Sequence, residues 1–127
     1  MVSFLTVVRH RSDTSTDTRR PVTYAHIDQT AKESKNKVFR YLPEEAPGLV
    51  EKRFQIINLW RPISNPALDW PLALCDYRSV DPEKDVHAYA VTLPDRDAEA
   101  YGVSYNPDLK WKYLRGMRPD EYVLIKW

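Results

Sequence analysis

Runs of five to nine residues, rich in apolar positions and in places alternating with a period of two, recur along this chain, which is the pattern of strands. Val2–Val8 (VSFLTVV) reads as a strand. Arg9–Arg20 (RHRSDTSTDTRR) has no apolar periodicity and reads as a polar loop. In Val22–Asp28 (VTYAHID) the alternation sets Val22, Tyr24, His26 and Asp28 on one face and Thr23, Ala25 and Ile27 on the other. Phe54–Trp60 (FQIINLW) is the strongest strand signal. Leu72–Tyr77, Asp85–Leu93, Ala100–Tyr105, Lys110–Leu114 and Glu121–Trp127 follow, separated by turns at Pro94–Ala98, Asn106–Asp108 and Met117–Asp120. Lys110–Leu114 is expected to pair as a hairpin with Ala100–Tyr105.

One helix interrupts the strands. Thr30-Ala31-Lys32-Glu33 has the spacing of a capping box, in which Thr30 accepts from the Glu33 backbone N–H and Glu33 reaches back. The helix should run from Ala31 to Tyr41 or Leu42 and end before Pro43. A shorter one is expected around Glu44–Lys52, weakened by Pro47-Gly48. The fold class is therefore mainly β: an antiparallel sandwich or jelly-roll barrel with a helical flank.

Length limits this picture to a single domain, 1–127. Ten prolines against three glycines weigh against a helical bundle. Lys and Arg number 19 and Asp and Glu 18, so the net charge of +1 gives no footprint for nucleic acid or an anionic membrane. No run approaches the roughly 20 apolar residues of a membrane span. Cys75 is the only cysteine, which excludes an intrachain disulfide and a C-x-x-C metal site and fits a reducing, cytoplasmic setting. It reads as a buried small hydrophobe.

The candidate chemistry is His26-Ile27-Asp28, an H-x-D at a strand end. Residues i and i+2 project from one face, so an imidazole and a carboxylate converge without special backbone geometry. Two such donors form part of a 2-His-1-carboxylate facial triad for non-haem Fe(II), which leaves positions open for a co-substrate and O₂. The tripeptide alone fits equally well a His hydrogen-bonded to its neighbouring Asp. The other histidines, His10 and His87, have no spacing that assigns them to a metal. There is no Gly-rich phosphate loop, no G-x-S-x-G and no H-E-x-x-H.

Longer blocks add to this. RRPVTYAHIDQT at 19–30, RFQIINLWRPI at 53–63, DWPLALCDYRSVD at 69–81 and YNPDLKWKYLRGMRPDEYVLIKW at 105–127 resemble, in this order, the AsaB-type hydroxylase/desaturase family of fungal secondary metabolism. The related bacterial proteins are cephem-methoxylase-like or gibberellin-desaturase-like. The resemblance runs from Arg19 to Lys126. It implies a double-stranded β-helix (jelly-roll, cupin-like) fold and Fe(II)/2-oxoglutarate-type hydroxylation or desaturation of a small metabolite. His26 and Asp28 match the first two iron ligands. The distal His and the basic 2-oxoglutarate anchor are expected beyond Lys126, so the chain is expected to be an interior portion of a longer enzyme.

Four further residues are candidates for a substrate or co-substrate pocket. Gln29 follows the H-x-D and could orient a ligand through hydrogen bonds. Asn58 and Arg61 could contact a carboxylate at the barrel mouth, and Trp60 could line it; in the structural alternative Trp60 is core and Arg61 pairs with Asp28, Asp69 or Asp76. Asn58 and Trp60 share a face that Arg61 does not. Trp111 and Tyr113 read as core packing. Two functions remain open: an oxidoreductase of this type, or an inactive truncated remnant or small-molecule binding module that lacks the distal ligand. An incomplete barrel also exposes strand edges through which a homodimer could form.

Overall fold

The computed structural model describes residues 7–9 and 20–126. The strand expected at Val2–Val8 and the polar loop at 9–20, with His10, lie largely outside them.

The described residues form β1 (His26–Ile27), α1 (Ala31–Tyr41), α2 (Ala46–Val50), β2 (Ile57–Trp60), β3 (Ala73–Cys75), a 3-10 turn (Tyr77–Ser79), α3 (Pro82–Asp85), β4 (Val86–Leu93), β5 (Arg96–Val103), β6 (Trp111–Tyr113) and β7 (Val123–Lys126). Three antiparallel ladders nest inside one another: β4 pairs β5, β3 pairs β6, and β2 pairs β7. β1 joins the outer side of β5, giving the order β1-β5-β4. Such nesting is what a long antiparallel hairpin produces when it folds over on itself, and it is the arrangement of a partial jelly roll. The mainly-β expectation holds.

Two parts of the sequence reading need correction. β6 does not form a hairpin with β5; it pairs with β3, Ala73 opposite Tyr113 and Cys75 opposite Trp111. The turn after β5 explains why. Asn106 Oδ1 accepts from the Asp108 N–H (2.9 Å), while Asn106 Nδ2 donates to both carboxylate oxygens of Asp85 (3.1 and 3.2 Å). The chain is thereby tied to the start of β4 and led away from the sheet. Lys110 N–H then donates to Ser79 Oγ (2.9 Å) and Asp76 N–H to the Lys110 carbonyl (2.9 Å), which fixes the new partner.

The second correction is β5 itself, which begins at Arg96 rather than after Ala98. Pro94 and Asp95 are the whole loop, because Leu93 already pairs Arg96. Cross-strand pairing overrides the weak strand preference of Arg96-Asp97-Ala98.

α1 starts as expected. Thr30 Oγ1 accepts from the Glu33 N–H (3.1 Å), but Glu33 does not reach back. Its carboxylate takes Arg40 (3.2 Å) and Asn36 (3.2 Å) instead. The Thr30 N–H goes to the Glu99 carbonyl (3.2 Å) and its hydroxyl donates to Glu99 Oε1 (2.7 Å). The helix start is thus bolted to β5, two residues after Asp28.

Among the described residues, Val38, Ala46, Pro62, Ala100 and Met117 are the buried apolar side chains. Trp111 and Tyr113, expected in a core, are exposed.

Candidate metal centre

His26 and Asp28 leave β1 on the same side, as the i, i+2 spacing predicts. His26 Nε2 lies 3.1 Å from Asp28 Oδ1. The second donor atom of each side chain is already engaged. His26 Nδ1–H donates to the Tyr24 carbonyl (3.0 Å), and Asp28 Oδ2 accepts from Asn58 Nδ2 (2.7 Å) on β2. The His26 side chain is 25% exposed and that of Asp28 42%, so the pair sits at an accessible rim rather than in the interior.

The electrostatics follow from this geometry. The hydrogen bond to Asp28 raises the His26 pKa above its ordinary 6.5, against partial burial, with a smaller upward push from the Tyr24 carbonyl. The same bond to His26 lowers the Asp28 pKa below 3.8, helped by Asn58. In the protonated state a proton stands between Nε2 and Oδ1, in the place where a cation would share both atoms.

The two atoms suit a metal ion. Donors about 2.1 Å from a common ion and at right angles to each other stand about 3.0 Å apart. The observed separation is 3.1 Å. Donation of Nδ1–H to a backbone carbonyl leaves Nε2 as the nitrogen able to ligate, the usual orientation of a metal-binding histidine. The neutral imidazole and carboxylate are the donor types of a non-haem Fe(II) site. Among the described residues no third His, Cys, Asp or Glu joins them.

Of the other sequence candidates, Asn58 is brought to the site directly. Gln29 is next to it in sequence, and its Oε1 is buried with no hydrogen-bond partner among the described residues. Trp60 shares the half-buried face of β2 with Asn58, two residues on, and lines an open cavity of about 560 Å³ with Leu72, Leu74, Met117, Tyr122 and Val123. Arg61 is drawn away: its Nη1 donates to the Pro119 carbonyl (3.0 Å). Cys75 is half-buried on the wall of the same cavity, with Sγ 3.7 Å from Ser79 Oγ.

Three residues near the site carried no role in the sequence reading. Tyr24 supplies the carbonyl for His26 and tilts its ring against the imidazole, centroids 5.2 Å apart. A hydrogen bond with Tyr24 pushes the Tyr89 hydroxyl up to about 12. Lys37, on α1, is lowered by burial while the nearby Asp28 charge pulls it back up. The alternation of Val22–Asp28 already set Tyr24 on the His26 face; nothing local in the sequence points to Tyr89 or Lys37.

Comparison with known proteins extends this picture. A family model described as "Oxidoreductase/YMDC permease-like domain" matches residues 1–127. Among the described residues no helix is long and apolar enough to cross a membrane. The chain is 36% identical over 97 residues to Aspirochlorine biosynthesis protein N of Aspergillus oryzae, covering 73% of this chain and 40% of that protein. It is 32% identical over 108 residues to the Fe(II)/2-oxoglutarate-dependent dioxygenase nvfI of Aspergillus novofumigatus, covering 84% and 38%. It is 35% identical over 96 residues to the hydroxylase/desaturase asaB of Aspergillus flavus, covering 65% and 41%. Among solved structures, the iron and alpha-ketoglutarate-dependent endoperoxidase NvfI matches with a TM-score of 0.83 at 28% identity, covering 93% of this chain and 44% of that one. The chain thus spans about two fifths of the length of these curated relatives. A likeness that runs through both the sequence and the strand arrangement over most of the chain has one source: this protein belongs to the AsaB-type hydroxylase/desaturase family of oxidoreductases.

Proposed function

We propose that the chain carries the His26–Asp28 part of the iron site of an Fe(II)/2-oxoglutarate-dependent hydroxylase or desaturase that acts on a small secondary metabolite. The observation that carries this reading is the 3.1 Å approach of His26 Nε2 to Asp28 Oδ1, with the remaining donor atoms held by Tyr24 and Asn58. When bound, Fe(II) with 2-oxoglutarate and O₂ would supply the oxidising power that removes hydrogen from the substrate. The residues of this chain bind and orient. His26 and Asp28 are ligands, and Trp60, two residues after Asn58 on β2, walls a largely apolar cavity, also lined by Asp76, Arg78 and Lys112, that suits a hydrocarbon-rich metabolite with a polar group. Gln29, the next residue after Asp28, carries a buried Oε1 with no hydrogen-bond partner among the described residues and could orient a ligand. Arg61 would join the pocket only by releasing the Pro119 carbonyl that its guanidinium holds.

The test is anaerobic addition of Fe(II) and 2-oxoglutarate, watched for the weak visible charge-transfer band of the chelated keto acid, with His26→Ala as control. A band that the variant loses supports the proposal. A folded chain that gives no band favours a second reading, an inactive remnant or small-molecule binding module. The two-donor character of the site among the described residues is the observation on its side.

We read residues 1–127 as part of one β-helix domain, since β2 with β7 and β3 with β6 interleave distant parts of the chain. A second copy is the protein partner we propose. Leu59, Leu68, Tyr113, Tyr122 and Leu124 are exposed, and β2–β7 and β3–β6 are two-stranded ladders with outer edges unpaired among the described residues; such edges invite pairing. Analytical ultracentrifugation that finds a dimer at micromolar concentration supports it, and a monomer refutes it. The single cysteine supports a reducing compartment, the cytoplasm.

A further inference from the structure

We infer that Asn58 is a positioning residue for the metal site: its amide occupies Asp28 Oδ2 and so presents Asp28 to a metal through Oδ1 alone. This rests on the metal reading above and deepens it. The Asn58 Nδ2 to Asp28 Oδ2 distance of 2.7 Å is that of a strong, charge-assisted hydrogen bond. The other carboxylate oxygen, Oδ1, is the one that faces His26 Nε2 at 3.1 Å. The two contacts divide the carboxylate between a fixed protein donor and the shared ligand position.

A free carboxylate can turn about its Cβ–Cγ bond and chelate an ion with both oxygens, which uses up one more coordination position. With Oδ2 engaged, the carboxylate would bind a metal through Oδ1 alone, and that position would stay open for an exogenous ligand. Asn58 can do this because β2 holds it from across the fold. The strand is paired with β7 residue by residue, Asn58 opposite Ile125 and Trp60 opposite Val123. The same face of β2 that carries Asn58 carries Trp60 into the cavity, so one rigid strand sets both the carboxylate and the cavity wall. Asn58 would act only through Asp28, to whose Oδ2 its amide is bound.

Co(II) is the probe, added to the 127-residue chain and followed by calorimetry and visible absorption. Compared are the wild type, Asn58→Leu, which keeps the branched side-chain shape without a donor, and Asn58→Gln, which keeps the amide on a longer arm. Circular dichroism establishes that each is folded. Asn58→Leu is expected to bind Co(II) about 10- to 100-fold more weakly, the usual effect of losing a partner of a ligand. Its visible bands should also weaken, because a chelating carboxylate raises the coordination number. Asn58→Gln is expected to recover part of both signals. If Asn58→Leu does not fold, Asn58→Ala takes its place with the same expectation. A folded variant without the donor that matches the wild type in affinity and spectrum overturns the role of Asn58 while leaving the metal site standing. A wild-type chain that takes up no Co(II) overturns the metal reading and this role together.

Discussion

His26 and His87 pair with the same residue, Gly102, from opposite sides of β5. Directly paired residues point to one face of a sheet, so the two histidines lie in a single cross-strand row with a glycine between them. The gap above that glycine is not free. A Cβ placed on Gly102 would lie 3.6 Å from Tyr89 Cδ1 and 3.7 Å from Cε1, so the Tyr89 ring stands over it. Tyr89 is in turn hydrogen-bonded to Tyr24, whose ring leans on His26. An aromatic pair therefore separates His87, which is exposed, from the His26–Asp28 pair. His87→Ala should leave Co(II) affinity within about twofold of wild type, whereas His26→Ala should abolish it. Parallel calorimetric titrations decide this, and equal losses in the two variants would make His87 a ligand.

The His26–Asp28 contact gives the metal-free protein a pH signature. The folded-state pKa of His26 is raised above 6.5, so its contribution to stability is complete below that value and disappears as pH rises through the folded pKa. The Asp28 pKa is lowered below 3.8, so its contribution is present above 3.8 and disappears as pH falls through the folded value. The pair thus stabilises the fold most between these limits. The urea midpoint should fall on going from pH 6 to pH 8, and His26→Ala should remove that part of the slope. Metal binding should show the opposite trend, strengthening as His26 loses its proton. An NMR titration of the His26 ring giving a pKa below 6.5 would contradict the stability trend.

The legible part of this molecule is what lies close in sequence. The H-x-D convergence follows from strand alternation over three residues, and the α1 start follows from a threonine before a helical run. What was not legible is settled by contacts between distant segments. Asn58 reaches Asp28 across 30 residues of sequence, and its amide could equally have met a substrate. β6 looked like the return strand of a hairpin with β5, because nothing in KWKYL marks its partner as Ala73–Cys75. Asn106 and Ser79 make that choice through side-chain hydrogen bonds from elsewhere in the chain. The reciprocal half of the capping box failed for the same reason: Glu99, on β5, took the place expected for Glu33.

That substitution of Glu99 for Glu33 makes Thr30 a junction. Its side chain, 2% exposed, both caps α1 and bonds β5. Thr30→Ala removes a helix cap and leaves a carboxylate oxygen without its donor, together worth about 2 kcal/mol. Thr30→Ser keeps the hydroxyl and should lose well under half of that. Urea unfolding of the three proteins measures both differences. Because Thr30 lies two residues beyond Asp28, the alanine variant should also weaken Co(II) binding; a variant that is less stable yet binds normally would uncouple the helix start from the site.

Gly102 and Gly116 separate two reasons for a glycine. A Cβ at either position would have its nearest neighbour at the same distance, 3.6 Å, from Tyr89 Cδ1 at Gly102 and from Leu68 Cδ2 at Gly116. Both are ordinary van der Waals contacts, so space does not distinguish them. Backbone conformation does. Gly116 has a φ of +67°, in the left-handed region, and its N–H donates to the Ala67 carbonyl (3.2 Å), next to the bridge between Ala67 and Met117. Gly116→Ala must hold an L residue there at a cost of about 1–2 kcal/mol. It should also loosen Met117, one of the buried apolar side chains and part of the cavity wall. Gly102 lies in a regular stretch of β5, where Gly→Ala mainly restricts the unfolded chain and gains about 0.4–1 kcal/mol. The two variants should therefore move the urea midpoint in opposite directions. A loss of stability at Gly102 would mean that the Tyr89 ring cannot accept a methyl group beside it, and would strengthen the view that this ring is packed in place against the histidine row.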